Sequence, residues 1–147
     1  MEGSLYFVTF RLREGFLSRE EVALVLGHIK SGQSKFYSLV AVQVMSNHIH
    51  LILRPNEGMA FSRIMKGIKG ASARFINRAR GTSGSLWLDE SFDRILRNQR
   101  ELDEKLKYMY ENPLRAGMVE KPEDYPGWYL QEKAWSAVRQ TFSQSTG

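Results

Sequence analysis

The chain has 147 residues, long enough for one domain with a real core and too short for a barrel of alternating strands and helices. It holds no cysteine, which excludes disulfides, thiolate metal sites and cysteine nucleophiles, so its chemistry rests on oxygen and nitrogen. Net charge is +5, and Arg63, Lys66, Lys69, Arg74, Arg78 and Arg80 fall in a stretch without Asp or Glu, which points to an anionic partner, nucleic acid first, or else to a merely soluble basic surface.

In chain order, Leu5 to Arg13 reads as a strand, with Tyr6, Val8 and Phe10 alternating against Phe7 and Thr9. Ser18 opens a helix and Glu21 completes its capping box; Val22, Val25, Leu26 and Ile29 form the buried stripe, and Gly32 ends it. Phe36 to Met45 and His48 to Arg54 form an antiparallel hairpin across Ser46 and Asn47, its second strand central in the sheet. A long helix follows Pro55–Gly58, with Phe61, Ile64, Ile68, Phe75 and Ile76 on one face; Gly67 and Gly70 mark a bend or a close approach of another backbone. Gly81 to Ser85 is a loop, and Leu86 to Arg97 is extended and carries Trp87 and Phe92. Asn98 caps a last helix that must stop before Pro113. The polar end from Gln140 to Gly147 is expected to fray.

The order of elements predicts an α+β fold: a ferredoxin-like antiparallel sheet with helices packed on it, plus an extra C-terminal helix. Residues 1–130 form the domain and 131–147 a tail, partly helical or disordered. No apolar run approaches the roughly 20 residues of a membrane span, and Met1 to Ser4 carry no leader pattern, so a cytoplasmic protein without a membrane partner is expected.

His48 and His50 carry the most chemistry. Strand side chains alternate faces, so the two imidazoles point the same way while Ile49, Leu51 and Leu53 point the other. That is half a metal site, or else a pair of ordinary strand histidines bonded to backbone. On the last helix, Tyr108 and Asn112 are four residues apart and share a face beside the Leu102, Leu106 and Met109 stripe, whereas Tyr110 points nearly opposite Asn112. An amide oxygen from Asn112 can complete a metal shell, and the Tyr108 phenol can attack an electrophile once a nearby cation or base activates it. The ordinary alternatives are an amphipathic tyrosine at a stripe's rim and an asparagine ending a helix.

Two segments carry a resemblance. Val44-Met45-Ser46-Asn47-His48-Ile49-His50-Leu51-Ile52-Leu53 and Tyr108-Met109-Tyr110-Glu111-Asn112-Pro113-Leu114-Arg115-Ala116-Gly117-Met118-Val119 resemble the two signatures of the HUH single-tyrosine (IS200-like) transposases. The Asn-Pro-x-Arg-Ala-Gly stretch, Leu86-Trp87 and Ser91 to Arg97 are similar to the REP-associated tyrosine transposases. The resemblance spans residues 5 to 128. It implies that His48, His50 and Asn112 hold a divalent ion, Mg²⁺ or Mn²⁺ with Zn²⁺ or Ni²⁺ tolerated, and that Tyr108 is the nucleophile. It also implies a single-stranded DNA substrate near hairpin sequences, cleaved and rejoined through a 5′-phosphotyrosine with a free 3′-hydroxyl. The basic helix would track phosphates, and Trp87 or Phe92 would stack on a base or belong to the core. The chain departs from that branch in two places: Ser46 stands where proline is common, and an N-terminal extension that helps to read DNA looks missing or shortened. A homodimer that shares its tyrosine helix and a monomer both fit the resemblance. The competing readings are a catalytically inactive hairpin-binding regulator of the same fold and, from His-x-His alone, a small zinc or iron enzyme.

Overall fold

The computed structural model describes residues 3–146. Met1, Glu2 and Gly147, to which the expectations for the two ends of the chain extend, lie outside the described residues. Five strands, β1 (Leu5–Arg11), β2 (Tyr37–Val44), β3 (His48–Pro55), β4 (Phe92–Leu96) and β5 (Trp128–Leu130), form one sheet in the order β4-β1-β3-β2-β5. Every neighbouring pair is antiparallel. Four helices pack on it: α1 (Arg19–Ser31), α2 (Phe61–Arg80), α3 (Gln99–Arg115) and α4 (Glu132–Thr146). The first four strands follow the ferredoxin-like order, and β3 lies between β1 and β2 at the centre, as the hairpin predicts.

Period-two alternation divides the core. Val8 and Phe10 of β1 and Ile49, Leu51 and Leu53 of β3 pack with Val25 and Ile29 of α1 and Ile64, Ile68 and Ile76 of α2. Leu5, Phe7 and Ile52 face the other way, against Leu102 and Met109 of α3 and Ala134, Val138 and Phe142 of α4. His48 and His50 share the parity of Ile52, so they lie on the α3 side. Leu102 and Met109 are fully buried, each worth about 1.5–3 kcal/mol. Their burial fixes the rotation of α3 about its axis.

The capping box at Ser18 forms, with Glu21 N–H donating to Ser18 Oγ at 3.1 Å and Ser18 N–H to Glu21 Oε1 at 2.8 Å. Several expectations need correction. The last helix does not stop before Pro113 but runs to Arg115 with the proline inside it. An interior proline has no N–H for the carbonyl four residues back, which is Met109. Here the Gln43 side chain of β2 donates Nε2–H to that carbonyl at 3.0 Å, so the backbone group stays satisfied.

Leu86 to Arg97 is not one strand: β4 covers only Phe92–Leu96, and Trp87 makes an isolated bridge to Leu12. Gly67 and Gly70 mark neither a bend nor a close backbone, since α2 is continuous and a Cβ at Gly67 would meet nothing within 4 Å. Phe75 is exposed, and Met65 and Ser72 take buried places on α2. At the end of the chain, α4 continues through the span expected to fray because Phe142 is buried. β5 was not foreseen; three residues are too few to display an alternation.

β5 is held close to β2 through Gly127. Its carbonyl accepts from Val44 N–H at 2.9 Å, and a Cβ there would overlap the Val44 carbonyl oxygen and come within 2.5 Å of the Tyr125 ring. Gly127→Ala is therefore expected to cost about 1–3 kcal/mol of stability by overpacking. Chemical denaturation checks this, with Gly67→Ala, in open space, as the control that loses nothing.

Candidate active site

His50 is buried, and its Nδ1 lies 2.7 Å from Thr9 Oγ1 on β1, its direct cross-strand partner. Its Nε2 is buried and has no hydrogen-bond partner. Burial pushes the imidazole down to about 3, and the neighbouring His48 and Arg11 charges push the same way. His48 sits 4.8 Å away, ring centre to ring centre, and burial lowers its pKa as well. Both rings are therefore neutral at pH 7, the form in which imidazole donates a lone pair.

His48 lies between two amide oxygens, with Nδ1 2.8 Å from Asn47 Oδ1 and Nε2 3.1 Å from Asn112 Oδ1 of α3. A neutral imidazole has one N–H and can donate to only one of them; with the proton on Nδ1, the Nε2 lone pair faces Asn112 Oδ1. In that tautomer the two acceptors mark a place suited to a cation, and the unpartnered His50 Nε2 belongs to the ring 4.8 Å from that of His48. Among the described residues there is no group of three or more His, Cys, Asp or Glu suited to a metal. A metal here would be held by His48, His50 and the Asn112 amide, a donor set that suits borderline divalent ions and leaves positions open.

Tyr108, one turn before Asn112, presents its ring edge to His50 at 5.5 Å and is 46% exposed. The Arg115 guanidinium lies 4.4 Å from its ring centre and donates to its backbone carbonyl; Lys105 Nζ is 5.8 Å from the same ring. Tyr110 is turned away and packs edge-on against Trp128 at 5.3 Å. Tyr108, rather than Tyr110, thus shares the histidines' space. A cleft of about 620 Å³ opens beside it, lined by Thr9, Arg11, His50, Phe92 and Lys105 among others. A half-exposed phenol, two neutral imidazoles, an amide oxygen and flanking cations can bind a phosphodiester and attack it.

The six cations of α2 are on the opposite face of the sheet, and they are not alike. Arg80 is paired with Glu21, at 2.7 and 2.9 Å, and donates to the Phe16 carbonyl. The Arg80 hydrogen bonds hold the Glu21 carboxyl below its usual range. Lys69 donates to the Leu88 and Asp89 carbonyls and to Ser91 Oγ, tying α2 to the loop before β4. Arg63, Lys66, Arg74 and Arg78 are exposed. Trp87 is core, donating Nε1–H to Ser72 Oγ at 2.9 Å, while Phe92 is exposed in the cleft.

Thr9, Gln43, Lys105 and Arg115 escape the sequence reading. Thr9 and Gln43 sit directly opposite His50 on its two neighbouring strands, so the strand order would have found them. Lys105 and Arg115 lie three before and seven after Tyr108, within one helical face.

The family model of IS200-like transposases matches residues 9–109. A curated Haemophilus influenzae protein that carries the name of a REP-associated tyrosine transposase is 22% identical over 140 residues, which are 85% of this chain and 78% of that protein. The solved structure of a REP-associated tyrosine transposase bound to a REP hairpin superposes with a TM-score of 0.69 at 22% identity, over 87% of this chain and 77% of the other. A crystal structure from Deinococcus radiodurans R1, described as that of a transposase, gives 0.51 at 24% identity, over 74% and 88%. At these identities the structural likeness is one of fold.

Proposed function

Because the chain belongs to the IS200-like transposase family, we propose that it is a metal-dependent single-stranded DNA transposase and endonuclease, cutting and rejoining DNA near hairpin sequences through a 5′-phosphotyrosine. One observation carries the reading: Asn112 Oδ1 stands 3.1 Å from His48 Nε2 while Tyr108 meets His50 at 5.5 Å, four side chains from two distant segments around one point. The hairpin-bound structural neighbour supports hairpin DNA as the partner.

A divalent ion held by His48, His50 and Asn112 would supply charge neutralisation at a phosphate oxygen. The Tyr108 hydroxyl attacks phosphorus in line: the Oη–P bond forms, the P–O3′ bond breaks, the phenol proton leaves to water and O3′ takes one up. Lys105 and Arg115 offset the negative charge that gathers on the non-bridging oxygens. The phosphotyrosine keeps the energy of the cut bond, so a 3′-hydroxyl can attack it, restore the diester and release Tyr108. All four site residues come from one chain, and the reading assigns the reaction to a single subunit. Among the described residues no helix is long and apolar enough to cross a membrane.

The test incubates the protein with end-labelled single-stranded DNA from hairpin sequences flanking its gene, plus Mn²⁺, and looks for a covalent adduct on a denaturing gel. Binding without an adduct under every divalent ion tried would favour the inactive regulator instead. Equal cutting of a fully paired duplex would also count against the reading, since only an unstacked strand brings its phosphate in line with Tyr108.

Affinity is expected to follow the phosphates. Replacing Lys66, Arg74 and Arg78 by Ala should flatten the plot of log affinity against log salt by about one unit per contact removed. Arg80→Ala should leave that slope alone and instead lower the melting temperature, because its work is the Glu21 pair. Anisotropy titrations between low and moderate salt, beside thermal melts, separate the two classes.

A further inference from the structure

Phe92 is an aromatic side chain left 56% exposed on the face of the sheet that carries the site. Its register partner on β1 is Thr9, the residue bonded to His50, so strand parity turns it toward α3. It opens into the cleft that Lys105 and Tyr108 of α3 also line. The rings run in a row along the cleft floor. His50 stacks on Phe7 at 5.6 Å, and Phe7 meets Phe92 edge-on at 6.3 Å. Lys105 Nζ stands 4.9 Å from the Phe7 ring and 5.8 Å from that of Tyr108, and it lines the same cleft as Phe92. Glu90 lines the same cleft. A carboxylate there repels a backbone phosphate but can accept from the amino group of a base, so the Phe92 end suits a base and the Lys105 position a phosphate.

We infer that Phe92, with Lys105 beside it, is a stacking subsite for the nucleobase immediately 3′ of the scissile phosphate. The inference rests on the tyrosine-transfer reading, and that chemistry decides which nucleotide is meant. In-line attack sends O3′ away from Tyr108, so the upstream nucleotide departs on the far side of phosphorus. The downstream nucleotide stays attached to Tyr108 through its 5′-phosphate. It must be accommodated in the space next to the tyrosine ring, and that space is the cleft ending at Phe92. A base stacked there holds the cut strand in place until a 3′-hydroxyl arrives, with little regard to which base it is.

The experiment first maps the cut by wild-type adduct formation, then measures binding of uncut single strands to wild-type, Phe92→Ala and Phe92→Trp proteins without divalent ion. Each is titrated with the natural strand and with one abasic at the position 3′ of the cut. Phe92→Ala should weaken binding of the natural strand about 5- to 50-fold, and the abasic strand should lose as much on wild type. On the abasic strand the substitution should cost less than about two-fold more, and Phe92→Trp should bind the natural strand like wild type. Fully additive losses, unchanged affinity in Phe92→Ala, or coupling to the base 5′ of the cut would overturn the subsite while wild-type adducts continue to form. Absence of any wild-type adduct overturns the transfer reading, and the subsite with it.

Discussion

Tyr108→Phe is expected to lower covalent adduct formation on the order of a thousand-fold or more, to background, while single-stranded DNA affinity changes less than about two-fold. Only the hydroxyl is removed. The ring that packs beside His50 and under Arg115 remains, so the loss falls on chemistry and not on binding. Tyr110→Phe is the control, because its ring lies against Trp128 away from the histidines, and its adduct yield should match wild type. A denaturing gel with labelled DNA and a parallel binding titration measure both. Survival of the adduct in Tyr108→Phe with its loss in Tyr110→Phe would mean that α3 turns its other side to the substrate.

The second large effect is expected at the histidines. His50→Ala should remove cleavage to background and weaken divalent ion binding by about 10- to 100-fold or more, since a buried ring oriented by Thr9 has no substitute nearby. His48→Ala should do the same. Asn112→Ala leaves both imidazoles, so its cleavage should fall less and recover in part as Mn²⁺ is raised. Thr9→Val tests the support of His50: it keeps the shape, removes the partner of Nδ1, and should weaken metal binding by a smaller factor. Calorimetric titration with Mn²⁺ gives a readout separate from DNA cutting. Full activity in excess chelator would end the metal assignment.

Which residues meet was readable wherever one element's own geometry decides it. Strand alternation puts His48 and His50 on one side, and a four-residue helical step groups Tyr108 with Asn112 and separates Tyr110; the structure arranges them so. The order of the first four strands also followed from the alternation of strands and helices. What stayed hidden depends on contacts between elements far apart in sequence. Arg80 and Lys69 look like free cations until Glu21 and the Leu88–Ser91 loop are folded against them. Phe142 looks like part of a polar tail until the sheet's second face needs covering. Trp87 and Phe92, which the sequence sets in one extended run, part company because Trp87 packs on α2 through Ser72 whereas Phe92 begins β4 and opens into the cleft.

The proline inside α3 has a consequence for how such a chain can change over time. Met109's carbonyl is open to Gln43 because Pro113 brings no N–H to it, so the strand residue and the imino acid maintain a single bond between them. Exchange Pro113 for alanine and the helix regains its own donor, which competes with Gln43 for the oxygen. Exchange Gln43 for leucine alone and a buried carbonyl is stranded. Sixty-six positions separate Gln43 from the carbonyl it serves, yet substitutions at 43 and 113 are expected to be non-additive because both act on that one oxygen. A Gln43→Leu lineage persists most easily once position 113 has ceased to be proline, and the order of those two steps sets which intermediates survive.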